Sequence, residues 1–388
     1  MHNHIIFSIF LIFCGAAILA TLALYTRQSL LVAYIILGVL IGPSGMSLVS
    51  DPVILKDVGD IGIIFLLFLL GLNLQPQNLL KLLRQATIIT VVSSCLFGAM
   101  GYGVALAANF STVDALVIGA AMMFSSTIIG LKLLPTTVLH HQRTGEIVIS
   151  ILLLQDMIAI FTLLLLHAAN EGGLHLAELA KVAIALPCLV VFAFLVERFV
   201  LIKLIQRFSR IHEFMFLVAI AWCLGLGQLA ESLKLSFEVG AFIAGISIAQ
   251  SPVSRFIAES LRPIRDFFLI LFFFSVGAKL NLDKLSEIWQ WALFLGALML
   301  VAKPIVFRQL LGKIAPNKPA AWEVGVRIGQ ISEFSLLVGY TAEKNNLITD
   351  AAYSLIQVST IITFIVSSYW IVNRYPTPIA ASDKLRRD

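Results

Sequence analysis

Asp156 lies at the centre of IVISILLLQDMIAIFTLLLLHAA, residues 147 to 169, an apolar run of bilayer-spanning length broken in its middle by Gln155 and Asp156. A charged side chain at mid-membrane costs about 2.5–3.5 kcal/mol on insertion scales, so it is retained only where something compensates it or uses it. The chemistry open to such an acid is to hold a cation, to carry a proton, or to do both in turn. The competing reading is a structural acid hydrogen-bonded to a neighbouring helix.

Other polar residues are placed to join it. MMFSSTIIGLKLL carries Ser125, Ser126, Thr127 and Gly130, and RIGQISEFSLLVGY carries Gly329, Gln330, Ser332 and Glu333. Apolar segments interrupted at matching places point to discontinuous helices, whose freed carbonyls and half-helix ends can coordinate an ion. Hydroxyls bonding back to their own helix explain the Ser and Thr residues but not Glu333. Lys303, followed by Pro304, stands in another apolar run. A buried ammonium needs a counter-charge, and Asp156 and Glu333 are the anions on offer. If Lys303 pairs with Asp156, an arriving cation displaces the ammonium and frees its proton, so the site trades ion for proton. The alternative is that Lys303 snorkels to the cytoplasmic edge, about 13 Å away along the helix. Arg327 reads as an interfacial anchor or a partner for Glu333. His140 and His141, beside Arg143, read as a solvated loop, with pH sensing as the alternative.

The elements that must position these residues are membrane helices. With 59% hydrophobic and 13% charged residues in 388, the chain has too little polar surface for a soluble globule. Thirteen spans are expected, at about 4–25, 30–45, 59–74, 86–108, 113–134, 146–169, 177–202, 211–231, 235–250, 264–280, 286–312, 319–342 and 349–373. Gly42-Pro43-Ser44-Gly45 and Gly71-Leu72-Asn73 read as tight span ends. Cys14, Cys95, Cys188 and Cys223 show no ligand-like spacing and read as small buried hydrophobes. The first residues lack a basic n-region and a cleavage site, so the first span reads as retained. With basic residues near span ends counted into the adjoining loop, loops after odd-numbered spans and the tail hold 19 Lys and Arg against 6 in the other loops, which puts the N-terminus outside and the C-terminus in the cytoplasm. The net charge of +5 is a topology signal, and no nucleic-acid partner is expected.

The chain also repeats itself. HIIFSIFLIFCGAAILATLA from His4 resembles HEFMFLVAIAWCLGLGQLAE from His212, GVLIG ending at Gly42 resembles AFIAG ending at Gly245, and FLLGLNLQPQNL from Phe68 resembles FSVGAKLNLDKL from Phe274. These offsets, 208, 203 and 206 residues, agree closely, and the last carries Ser126 onto Ser332. A shift of seven crossings turns the second copy upside down. The expectation is an inverted repeat, about 4–170 and 211–374, joined by a connector helix at about 177–202. In secondary transporters of this architecture the site lies near the mid-plane where the copies meet.

With these stretches in hand, the chain resembles the membrane domain of the monovalent cation:proton antiporter-2 family, in particular its Kef-type glutathione-gated potassium efflux members. The matching stretches are LGVLIGPSGMSLVSD, DIGIIFLLFLLGLNLQP, MMFSSTIIG, ILLLQDMIAI, EVGAFIAGISIA, LFFFSVGAKLNL and IGQISEFSLLV. The resemblance implies an all-α membrane protein with the sodium/proton-antiporter-type inverted-repeat fold and two crossing discontinuous helices. It implies a homodimer in membrane lipid whose core domain rocks against a scaffold, with ion binding at Asp156 and proton coupling through Asp156 and Lys303. Gln155 stands where sodium-selective relatives often carry a second aspartate, which points to potassium. The chain departs from the Kef pattern in three places. It ends in a short basic tail at 376–388 with no soluble nucleotide-binding regulatory domain, which argues against glutathione gating and leaves a longer chain or a separate regulatory subunit as the alternatives. The segment SPVSRFIAESLRPIRD is mostly basic where an acidic regulatory stretch is usual, and Asn73 stands where glutamate is common.

The expected function is exchange of potassium, or less favourably sodium, for protons across a bacterial inner membrane by alternating access. Asp156 is the shared ion and proton site, Gln155, Ser126 and Thr127 supply neutral oxygens, Lys303 is the competing charge, and Glu333 stabilises the crossing. Ser125, Gln330, Ser332 and Asn73 support them. No bound cofactor is expected beyond the transported ions. The rival readings are a ligand-gated potassium channel on the same scaffold and a membrane sensor or scaffold that transports nothing. Enzymatic activity is not expected, because no nucleophile with its base and no metal-ligand set stands at helical spacing.

Overall fold

The computed structural model describes residues 2–26, 28–49, 61–62, 64–65, 67–69, 71–72, 76–133, 143–170, 176–208, 211–233, 235, 237–249, 251, 254–280, 282–313 and 317–377. The architecture is helical. The α-helices whose bounds lie among the described residues are, in chain order, α1 (His2–Tyr25), α2 (Leu30–Ile41), α3 (Pro76–Ala107), α4 (Thr112–Met122), α5 (Thr127–Lys132), α6 (Arg143–Asn170), α7 (Leu176–Val196), α8 (Ile202–Arg207), α9 (His212–Ser232), α10 (Phe237–Ala249), α11 (Ser254–Ala278), α12 (Leu282–Leu310), α13 (Lys318–Arg327), α14 (Glu333–Lys344) and α15 (Asp350–Arg374). Apolar segments without water to satisfy their backbone close every N–H and C=O internally, and the α-helix does this within one segment. Ile6–Tyr25, Ala86–Ala107, Ile147–Leu166, Glu213–Ser232, Ser286–Leu310 and Asp350–Arg374 are long and apolar enough to cross a bilayer.

Expected spans five and twelve are interrupted. α4 stops at Met122 and α5 starts at Thr127, while α13 stops at Arg327 and α14 starts at Glu333. The helix starts keep the offset seen in the sequence: Pro76 and Leu282, Thr112 and Lys318, and Thr127 and Glu333 are each 206 residues apart. Spans two and nine are short as expected, α2 having 12 residues and α10 13. The turn at Gly42-Pro43-Ser44-Gly45 does end α2, and Ser44 Oγ donates to Leu280 O at 2.8 Å.

Two expectations are corrected. α11 begins at Ser254 rather than near 264, because SRFIAESLRPIR is amphipathic: Ile257 and Leu261, one turn apart, are buried and continue the apolar face. Of the cysteines only Cys223 is buried, while Cys14, Cys95 and Cys188 lie on exposed faces of apolar helices. In lipid an outward face is as apolar as a core, so hydropathy does not distinguish the two. Asn73, His140 and His141 lie outside the described residues.

The chain forms two compact units. One comprises Met1–Ser50, Leu82–Leu163 and Val276–Asp388; the other comprises Asp51–Lys81 and Leu164–Ser275. In the second, α9 packs on α10 and α10 on α7. In the first, α12 packs on α13 and α15, and α14 packs on α15 and α4. Gly325 lets α13 approach α12 closely, since a Cβ there would stand 2.8 Å from Pro304 O. That contact sits one residue from Lys303.

Candidate functional site

All candidate residues except Asn73 belong to the first unit. Asp156, in the middle of α6, is 1% exposed, and Lys303, in α12, is fully buried. Thr127, the first residue of α5, sets its Oγ1 3.1 Å from both carboxylate oxygens of Asp156, so one hydroxyl proton is shared between them. The short helix therefore begins on the acid.

The first break is held from α6. Gln155 Oε1 accepts the Ser125 N–H at 3.1 Å and its Nε2 donates to Met123 O at 3.2 Å. One carboxamide thus satisfies a donor and an acceptor that helix termination left open. Ser126 Oγ accepts the Ile129 N–H at 3.1 Å, capping α5. The oxygens of Gln155 and Ser126, expected to face a cation, are engaged as acceptors for backbone N–H groups.

The second break is held largely by itself. Ser332 caps α14, taking the Phe334 N–H on its hydroxyl at 3.0 Å, and its own N–H donates to Ser335 Oγ at 3.3 Å. Ser335 in turn donates to Ala121 O at the end of α4. Glu333, 3% exposed, occupies the first turn of α14, where the helix dipole favours negative charge.

Lys303 joins the two breaks. Its Nζ donates to Phe124 O in the first, to Gln330 O in the second at 3.2 Å, and makes a longer 3.4 Å contact to Ser125 Oγ. The ring of Phe97 lies 5.3 Å away and offers a cation–π face. Two expectations are corrected here. Lys303 does not snorkel. Nor does it pair with Asp156, which takes the Thr127 hydroxyl while the ammonium goes to backbone carbonyls. Backbone carbonyls freed by both breaks converge on the ammonium and replace its hydration, which an isolated carboxylate would have to do alone.

Arg327 is likewise reassigned. It pairs with Glu323 one turn back, at 2.8 Å, and donates to Leu133 O at 2.9 Å and Pro376 O at 3.0 Å. It ties the end of α13 to the residue after α5 and to the segment following α15, rather than anchoring at an interface or partnering Glu333.

The sequence reading missed α15. Thr363 Oγ1 accepts the Ile331 N–H at 3.0 Å, and Ser367 Oγ donates to Gln330 Oε1 at 3.1 Å. Gln330 Nε2 then reaches Ser126 O at 3.3 Å, linking the breaks a second time. The available signal is Thr363 and Ser367, two hydroxyls four residues apart on one face of an apolar span.

The arrangement presents a carboxylate, a hydroxyl, an ammonium and freed carbonyls in a dry interior. No group of His, Cys, Asp and Glu suited to a resident metal occurs among the described residues. Residues 9–373 match the transmembrane sodium/hydrogen exchanger family. The chain is 28% identical to the iron transporter MagA of Paramagnetospirillum magneticum over 89% of its own length and 80% of that protein's. It is 27% identical to K(+) efflux antiporter 6 of Arabidopsis thaliana, covering 88% of this chain and 58% of that one. It is 28% identical to the glutathione-regulated potassium-efflux system protein KefC of Shigella sonnei, covering 90% and 57%. The chain thus spans less than two thirds of these last two relatives. The sodium proton antiporter MjNhaP1 of Methanocaldococcus jannaschii shares the fold, with a TM-score of 0.71 over 93% of this chain and 94% of that one at 14% identity. A match spanning nearly all the helices that carry the site, in a family of cation/proton antiporters, establishes that this chain belongs to the sodium/hydrogen exchanger family.

Proposed function

We propose that this protein exchanges a monovalent cation, potassium in preference to sodium, for protons by alternating access at Asp156. The observation that carries the reading is a fully buried carboxylate bearing the Thr127 hydroxyl, in the same unit as a fully buried ammonium that ties two helix breaks together. An acid that only braced a helix would not need a buried ammonium and two interrupted helices in its unit.

In the proposed cycle Asp156 binds either cation or proton. Thr127 supplies the neutral oxygen beside it, while Gln155, Ser125 and Ser126 hold the first break in the shape that presents its carbonyls. When a cation occupies Asp156, Lys303 rests on the carbonyls of Phe124 and Gln330. When the cation leaves, the ammonium is drawn to the carboxylate and away from the next ion. Glu333 stabilises the second break and repels Asp156, a repulsion that a bound cation relieves. Gln155 at the position before the acid, together with relatives named as potassium efflux proteins, favours potassium. The helix starts repeating at 206 residues support the inverted duplication of about 4–170 and 211–374 with 177–202 as connector, and the two breaks support crossing discontinuous helices within thirteen spans. The excess of Lys and Arg after odd spans supports an N-terminus outside and a basic 376–388 tail in the cytoplasm. We assign the protein to a bacterial inner membrane, as a homodimer.

The test is reconstitution in proteoliposomes. The native chain is expected to drive protons uphill on a potassium gradient, which a passive pore cannot do, and Asp156→Asn is expected to abolish it. Cation-dependent proton movement that survives in Asp156→Asn would overturn the reading.

A further inference from the structure

Ser367 and Thr363 belong to α15, which carries none of the charged residues of the site, yet both reach the second break. Thr363 takes the Ile331 N–H, a donor that lies between helices and has no turn of its own to join. Ser367 fixes the oxygen end of the Gln330 carboxamide, whose nitrogen end holds Ser126 O across the first break. The backbone carbonyl of that same Gln330 receives the Lys303 ammonium. All of Ser367, Thr363, Gln330, Ser126 and Lys303 are buried, so none of these links is relaxed by water.

We infer that Ser367 and Thr363 are positioning residues through which α15 sets where Lys303 rests, and hence how strongly the lysine competes with the transported cation for Asp156. The inference rests on the antiport reading. Without Ser367 the Gln330 carboxamide is free to turn, its hold on Ser126 O weakens, and the carbonyl of residue 330 is no longer held at ammonium distance. The ammonium then spends more time on Asp156. Competition of this kind has a signature that general loosening lacks: it vanishes when the amine loses its proton.

The experiment compares Ser367→Ala, Ser367→Thr, Thr363→Val and Ser359→Ala in proteoliposomes, measuring potassium-driven proton flux over a range of potassium concentration and pH. Ser359→Ala is the control, because it removes a buried hydroxyl bond of the same helix, to Ala292 O at 3.2 Å, away from both breaks. Loss of one such bond corresponds to about a two- to tenfold change in an equilibrium. Ser367→Ala and Thr363→Val are expected to raise the potassium KM by about that factor in acid buffer and by progressively less as pH rises, with maximal rate falling less than KM rises. Ser367→Thr is expected to restore the native KM, and Ser359→Ala to keep it. A native KM and pH profile in Ser367→Ala, or the same rise in Ser359→Ala, overturns the role of α15 and leaves the antiport reading standing. Absence of potassium- or sodium-driven proton flux in the native chain overturns both.

Discussion

The two helix breaks match in sequence position but are built differently. The first, Met123 to Ser126, opens a helix of only six residues and borrows its hydrogen-bond partners from α6: Gln155 satisfies Ser125 N–H and Met123 O, and Asp156 meets Thr127. The second, Ile328 to Ser332, opens a 12-residue helix and carries its own Ser332 and Ser335 capping box, with the hydroxyls of α15 completing it. On the proposed reading, the two breaks divide the work between them. A break that depends on a neighbour is shaped by the helix bearing the acid, so ligand chemistry at Asp156 reaches it directly. A break that caps itself can remain fixed while the first one changes, and so serves as the reference against which Lys303 is held.

The largest effect is expected from Lys303→Met, which removes a charged side chain that touches both breaks. Hydrogen bonds to a charged donor are worth about 1.5–3 kcal/mol each, and recovery of the ammonium's desolvation cost offsets part of the loss. A net destabilisation of about 2–3 kcal/mol is expected, with amide hydrogen exchange rising in residues 123–126 and 328–332 together. If only one segment responds, the lysine is not the link between them. Gln155→Leu should act on the first break alone. It leaves a buried N–H and a buried carbonyl without the partners they now have, at a cost of about 2 kcal/mol. Exchange should rise at Ser125 and stay native at Ile331; equal loosening of both would mean that the second break leans on α6 as the first does.

Much of this site is legible in the sequence, for a definite reason. A carboxylate, an ammonium and a glutamate in apolar runs are costly enough to announce themselves, and the 206-residue offset pairs Ser126 with Ser332 in the sequence alone. The partner of Lys303 is not legible, because it is the backbone: carbonyl oxygens of Phe124 and Gln330 leave no trace in side-chain chemistry, so a reader looks for an anion and settles on Asp156. The Arg327 partner was within reach, since Glu323 stands four residues before it, but treating residue 327 as a span edge hid the spacing. The hydroxyls of α15 were hidden among side chains that bond their own helix, as Thr360 does to Ile356 O. The early start of α11 was lost because charged residues alternate with its buried ones.

Ser332→Ala sharpens the comparison with the smallest effect. Losing a Ser N-cap costs about 1 kcal/mol, and the damage here is limited because Ser335 still accepts the N–H of residue 332 and still donates to Ala121 O. The Phe334 N–H loses its partner, the Ser335 N–H loses the Ser332 hydroxyl but keeps Ser332 O at 3.1 Å, and both lie on the α14 side of the break. Hydrogen exchange is therefore expected to rise at Phe334 and to remain native at Ser125 and Thr127, with Ser332→Thr restoring protection because its hydroxyl caps in the same way. Were the first break to loosen as much as the second, self-capping would not isolate the two, and the division of labour between a responsive break and a fixed one would not hold.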